Sequence, residues 1–371
     1  MPAADQRRAN LRPPRRNGLH AATSGTARGL LAAAVLTFSL ICADESGQAR
    51  EPLAGDIERL KTIGFTVADL DREADFFVKV LQFEKVSDFR VAGSEYDRMQ
   101  GVFNTNMRIV HLRLGNQLVE LTAYVAPPTG RPVPVPSYSN DLWFEHMAIV
   151  VGDMDAAYKL LQDANVRQIS AQPITIPQSN PGAAGIRAIK FHDPENHPLE
   201  LIYFPAGKGN PTWQKPSNRV FLGIDHTAMT VGTTEKSVAF YRDLLGFGVG
   251  GTTFNSGTTQ EVLDNLFNDT CVVTAMMPTL APPHVEFLEY KTPPGGRPMP
   301  ADTRSNDLWH WQTTLVTRNI QAVNDRLRNA GVQLITPDVV AIPQDGQGKL
   351  GFKKSIMVRD PNGHAIRIVE E

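Results

Sequence analysis

Four stretches of the chain mix apolar and polar residues with the period of a strand: Leu60–Val67, Phe144–Val151, Ile224–Val231 and Trp311–Val316. Helical spacing follows each of them. After the first, Ala74, Phe77, Val78 and Leu81 share a face; after the second, Ala157, Leu160, Leu161 and Ala164 do. Val238, Tyr241 and Leu245 precede Gly246 in the third, and Ile320, Val323 and Leu327 precede Gly331 in the fourth, with each glycine a helix stop. Behind every helix come roughly forty to fifty residues of short apolar runs cut by Gly, Pro and Asn, the signature of further strands. The pattern predicts an α+β fold built from four modules, each a strand, a helix and three strands.

The modules repeat in pairs. Ser139–Asn140–Asp141–Leu142–Trp143 recurs as Ser305–Asn306–Asp307–Leu308–Trp309, and Gly130–Arg131–Pro132 recurs as Gly296–Arg297–Pro298. Asp193–Pro194–Glu195–Asn196–His197 is matched by Asp360–Pro361–Asn362–Gly363–His364. Offsets this constant mark an internal duplication. The first half covers residues 57–205, with modules 57–125 and 141–205. The second covers 220–371, with modules 220–292 and 307–371. Residues 206–219, rich in Pro and Gly, read as the linker.

The N-terminus has a different composition. Residues 1–28 carry six arginines, and Leu30–Ala43 is apolar and uncharged, of signal-peptide core length and short for a bilayer span. Gly47–Gln48–Ala49 offers small residues for cleavage. Residues 1–49 are therefore expected to be an export signal, placing the protein in a bacterial periplasm, with no membrane attachment once the signal is removed. Without them, 37 basic and 39 acidic residues become 31 and 36. No basic patch stands out, so nucleic acid is not an expected partner. At 42% hydrophobic and 20% charged, the rest is ordinary globular protein, expected as monomer or homodimer. Of two cysteines, Cys42 lies in the signal, and Cys271, in an apolar run, reads as a packing residue.

With these residues in hand, the chain resembles the vicinal oxygen chelate superfamily. That superfamily includes glyoxalase I, methylmalonyl-CoA epimerase, extradiol dioxygenases and bleomycin-resistance proteins. The resemblance rests on the opening strand bearing His226, the stretch Ser237–Val238–Ala239–Phe240–Tyr241–Arg242–Asp243–Leu244–Leu245–Gly246–Phe247, and the Asp–Pro endings. It covers about residues 57–371 and is most like the fused, two-half form of glyoxalase I. It implies βαβββ modules whose curved mixed sheets form open cups. It also implies one divalent metal held by a first-strand residue and a last-strand glutamate from each of two modules.

Carried over by position, the four modules offer Thr62 and Glu120, His146 and Glu200, His226 and Glu286, and Gln312 and Arg367. Pairing within each half leaves two incomplete sites. Pairing between halves joins modules two and three into a complete set, His146, Glu200, His226 and Glu286, and leaves Arg367 to face Glu120. Two imidazoles and two carboxylates suit Ni, Zn, Fe, Mn or Co. His197 and His364 follow the same turn in both halves and read as structural, while His310, in the place of Phe144, receives no role.

The implied activity is that of a metal-dependent lyase or isomerase acting on a small substrate with neighbouring oxygens through an enediolate. Glu200 or Glu286 would move the proton. An extradiol-type dioxygenase and a metal-free binding or resistance protein are the alternatives from other classes.

Overall fold

The computed structural model describes residues 56–294 and 296–371; the expected export signal lies outside them. Module one contains β1 (Ile57–Thr66), α1 (Leu70–Lys79), β2 (Glu84–Ala92), α2 (Ser94–Gln100), β3 (Asn106–Leu114) and β4 (Gln117–Ala126). Module two contains β5 (Glu145–Val151), α3 (Met154–Asp163), β6 (Ile174–Thr175), β7 (Arg187–His192) and β8 (Pro198–Tyr203). Module three contains β9 (Phe221–Thr230), α4 (Thr234–Val238) with a π-helical continuation Ala239–Leu244, β10 (Gly248–Ser256), α5 (Thr258–Asp264), β11 (Thr270–Met277) and β12 (His284–Thr292). Module four contains β13 (Trp311–Thr317), α6 (Ile320–Asn329), β14 (Val340–Ala341), α7 (Gln344–Leu350), β15 (Lys354–Arg359) and β16 (Ala365–Glu370).

The four strand–helix–three-strand modules are present. Modules one, three and four carry in addition a short helix between their second and third strands. Periodicity could not announce these helices, since α2, α5 and α7 are only seven residues long and none has a side-chain N-cap bond. Gly246, with φ of 87°, ends the helical stretch of module three as its sequence position suggested. No described helix is long and apolar enough to cross a membrane.

The strands form two mixed eight-stranded sheets, and the modules are exchanged between halves. One sheet runs β14-β15-β16-β13-β1-β4-β3-β2, joining modules four and one. The other runs β10-β11-β12-β9-β5-β8-β7-β6, joining modules three and two. The seams are antiparallel: β1 against β13, with Ile57 opposite Thr317, and β5 against β9, with Glu145 opposite Met229. Both seams carry a bulge at the same place. Register jumps from Ala148↔His226 to Ile149↔Ile224, leaving Asp225 unopposed, and from Leu60↔Leu315 to Thr62↔Thr314, leaving Lys61 unopposed.

Helices α1, α3 and α6, with the π turn, cover the convex faces. Their Phe77, Leu161, Leu327 and Tyr241 join Phe65, Met147, Met229 and Leu315 of both sheets in one core. The repeated motifs clasp the halves together. Arg131 donates from Nη2 to Asp307 Oδ2 at 2.7 Å and lies over Trp309; Arg297 donates to Asp141 Oδ2 at 2.6 Å and lies over Trp143. Gly296 is required there because a Cβ would stand 1.6 Å from the Asn140 carbonyl oxygen.

Both histidines of the Asp–Pro turns prove structural. His197 donates from Nε2 to the carbonyls of Thr66 (3.0 Å) and Leu308 (2.8 Å), and His364 from Nε2 to Thr230 (3.0 Å), so each reaches across to the other sheet. Burial opposes a charge on His364, but Asp360 and Glu145 prevail and raise its pKa to about 9. A group raised in the folded state stabilises fully below its unfolded pKa of about 6.5 and loses that contribution as pH climbs through 9. Denaturant melts at pH 6.5 and 9.5 should show a loss on the order of 2 to 3 kcal/mol that His364→Gln does not share.

Candidate metal centre

The sheet of modules two and three gathers His146, Glu200, His226 and Glu286 on its concave face. Strand alternation puts His146 with Ala148 and His226 with Ala228 on that face, and the antiparallel register sets His146 opposite Ala228 and Ala148 opposite His226. Parallel pairing brings Glu200 beside Ala148 and Glu286 beside Ala228. The rings of His146 and His226 lie 5.8 Å apart at their centroids.

Three of the four form a tight group: one ligand atom each from His146, Glu200 and His226 lies within 4.8 Å of the others, and all three are buried. His146 Nε2 is 3.2 Å and His226 Nε2 3.6 Å from Glu200 Oε2. Glu286 stands at the margin, its Oε2 3.4 Å from His226 Nε2, with its side chain 24% exposed against 7% for Glu200. Among the described residues His226 Nε2 has no hydrogen-bond partner, and an unpartnered polar atom is costly in a buried site. Two imidazoles and two carboxylates converging from four strands match the donor chemistry of a divalent cation, and the residues present fit one.

The electrostatics separate the two acids. Burial favours the neutral form of Glu200, but hydrogen bonds and charge from His146 and His226, with Lys190 nearby, win and hold it far below the usual carboxylate range. At Glu286 burial wins over the attraction of His226, and the pKa rises. Burial, aided by the positive charge of Lys190, pushes His146 down to about 4, leaving it neutral and ready to ligate.

Several residues here carry no sequence signal of a site. Lys190, opposite Glu200 in register, is buried and paired with Asp264 of α5, which also accepts from Gln260 (2.6 Å) and Tyr290 (2.9 Å). Asp225 Oδ2 accepts from His226 Nδ1 at 3.0 Å. Only the Asp–His neighbourhood in β9 hinted at the latter, and simple alternation would have sent Asp225 to the opposite face. Cys271 is a buried free thiol in the apolar wall of this cup, a packing residue as expected.

The other sheet brings together the remaining equivalents, Thr62, Glu120, Gln312 and Arg367, in a different role. Arg367 donates from Nη2 to Glu120 Oε2 at 2.8 Å, and Gln312 donates to Glu120 Oε1 at 2.8 Å. His111 Nε2 adds a contact at 3.3 Å. Above them Tyr96 and Met99 of α2, Leu350 of α7 and Phe352 pack with Met107, Ile109, Tyr124, Val316 and Val369, filling the cup. Module two has no helix in the position of α7, residues 176–186 running there as a loop, and its cup keeps a partly exposed acid.

Replacing His146 or His226 with Ala should each lower affinity for Zn²⁺ or Ni²⁺ by at least ~100-fold in titration calorimetry, exceeding a typical outer-sphere loss. Gln312→Ala should leave affinity unchanged. The reverse pattern would show that the ion belongs to the other sheet.

The fold has counterparts in known proteins. Over 151 residues, 39% of this chain and 79% of the relative, the sequence is 36% identical to a 2-epi-5-epi-valiolone epimerase from Actinomyces sp. Glyoxalase I from Zea mays superposes with a TM-score of 0.54 at 14% identity, covering 84% of this chain and 92% of that one. A variant of the maize enzyme gives a TM-score of 0.56 at 14% identity, covering 85% and 94%. Likeness at such identity establishes the fold alone. The profile of the Glyoxalase/Bleomycin resistance protein/Dioxygenase superfamily matches residues 59–201 and 223–368, and the chain belongs to that superfamily.

Proposed function

We propose that the protein is a metal-dependent isomerase that moves a proton at a carbon beside a carbonyl in a small, polyoxygenated substrate. The observation that carries this reading is the pairing of a tight His146–Glu200–His226 group with a second carboxylate, Glu286, that is looser and more accessible. The resemblance to an epimerase supports an isomerase over a lyase. A divalent cation held by these residues would supply Lewis acidity to the neighbouring substrate oxygens.

The chain's own residues divide the remaining work. Glu200, bonded to His146 and near His226, anchors the site and stays ionised. Glu286 touches only His226 among these groups and faces the open side, so it is free to take a proton from the substrate carbon and return it. Lys190 and Asp264 keep the deep end of the cup polar and fixed. We also propose that residues 1–49 direct export, which favours a hydroxylated ketone over a glutathione adduct as substrate.

One observation favours a second reading. The tight group is two imidazoles and one carboxylate, the donor set of non-haem iron(II) oxygenases, assembled here across the halves. Metal-loaded protein incubated with hydroxylated ketones in D₂O should exchange the carbon-bound proton without consuming oxygen. Oxygen uptake by Fe²⁺-loaded protein, with no deuterium incorporated, would replace the isomerase with an oxygenase.

A further inference from the structure

We infer that Asp225 and Trp213 are positioning residues of the metal centre, so that the linker between the halves is a working part of the site. This rests on the metal-dependent reading above and extends it to residues that touch neither metal nor substrate.

The chain of contacts is continuous. Trp213 Nε1 donates to Asp225 Oδ1 at 2.5 Å, and His226 Nδ1 donates to Asp225 Oδ2 at 3.0 Å. On the far side of the ring, Nε2 faces Glu286 Oε2 at 3.4 Å and Glu200 Oε2 at 3.6 Å. An ionised carboxylate only accepts, so the Asp225 bond demands a hydrogen on Nδ1 and turns Nε2 toward the two glutamates, where a cation would take the place of its proton. Carboxylate-bound histidines of this kind are turned and held for ligation by their outer partner.

The bulge makes this possible. In a regular strand Asp225 and His226 would point to opposite faces; at the bulge Asp225 has no cross-strand partner and its carboxylate turns to the imidazole beside it. The opposite sheet has the same bulge with Lys61 in it, and Lys61 instead reaches the Gly351 carbonyl (3.0 Å) and Glu371 (2.6 Å). The backbone device is common to both copies, but the carboxylate occurs only where the ligand histidine does.

Trp213 is itself held in place. It sits in a 3₁₀ turn, Pro211–Gln214, whose N-terminus is capped by Asn210, and the Asn210 amide donates to the Leu280 carbonyl at 2.8 Å. Its ring lies against the backbone of Gly223, where a Cβ would stand 2.8 Å from two of its carbons. The strap thus runs from the end of module two to the turn before β12, with the indole aimed at Asp225. His146 has no such orienter, as its Nδ1 is buried without a partner.

The test uses the full chain and two near-isosteric changes. Asp225→Asn keeps size and removes the charge; Trp213→Phe keeps the ring against Gly223 and removes the donor. Affinity for Co²⁺ and Zn²⁺ is read by competition with a chromophoric chelator, alongside the visible spectrum of the cobalt form and the melting temperature without metal. Asp225→Asn is expected to weaken binding by about 10- to 100-fold and Trp213→Phe by up to about tenfold. Both should alter the cobalt spectrum while the metal-free melting temperature stays put, and Lys61→Gln should change neither. Wild-type affinity and spectrum in both variants would overturn the inference while leaving the metal centre standing. So would a lower melting temperature with an unchanged cobalt spectrum. A wild-type chain that takes up neither ion would overturn the metal-dependent reading itself, and this inference with it.

Discussion

Glu286→Gln should keep its metal and turn over at least about a hundredfold more slowly, the usual scale of a general-base contribution. The amide preserves size and a neutral oxygen near His226 but cannot accept and return a proton. Glu200→Gln should fail differently. Glu200 lies within 3.6 Å of both imidazoles, so its loss strips charge from the tight group and lowers metal affinity first. Metal content and turnover measured together distinguish the two. Full turnover in both variants would remove both glutamates from the proton transfer and overturn the mechanism proposed here.

The second large effect lies in the filled cup and concerns stability. Arg367 and Glu120 have side chains only 1% exposed each, and Arg367 and His111 overcome burial to hold the Glu120 carboxyl far below its usual range. Arg367→Met alone leaves that carboxylate buried without its cation and is expected to cost about 3 to 5 kcal/mol in denaturant melts. Adding Glu120→Met should recover most of the loss, because an apolar pair of similar volume escapes the desolvation penalty. Turnover of the double variant should match wild type, since both residues belong to the other sheet. A single Arg367→Met that costs under about 1 kcal/mol would mean that the pair is not the buried ion pair described here.

How much of this was legible in the chain depends on what kind of signal each feature leaves. The modules could be read because an opening strand and an amphipathic helix recur with a repeated pentapeptide. The exchange of modules could be inferred only indirectly, from the way it sorts His146, Glu200, His226 and Glu286 from Thr62, Glu120, Gln312 and Arg367. Seam pairing itself leaves no local mark, as Ile57 opposite Thr317 shows. Asp225 escaped because a bulge breaks the period of two on which facing is argued. Lys190 escaped because a lysine in a strand reads as solvent-facing until its partner on α5 is known. Trp213 escaped because a Pro- and Gly-rich stretch reads as spacer.

The exchanged pairing also dictates the order in which the molecule can be made. β1 leaves the ribosome early, but its seam partner β13 belongs to the last module, so that edge must wait for nearly the whole chain. β5 waits a shorter time for β9. Throughout synthesis the first half carries two unpaired strand edges of its central, apolar strands, the exposure that invites association with other nascent chains. A ribosome-stalled or truncated first half should therefore be a sticky species, needing a chaperone or an identical copy to cover its seams. Supplying the second half in trans should rescue it into a soluble pair of fragments.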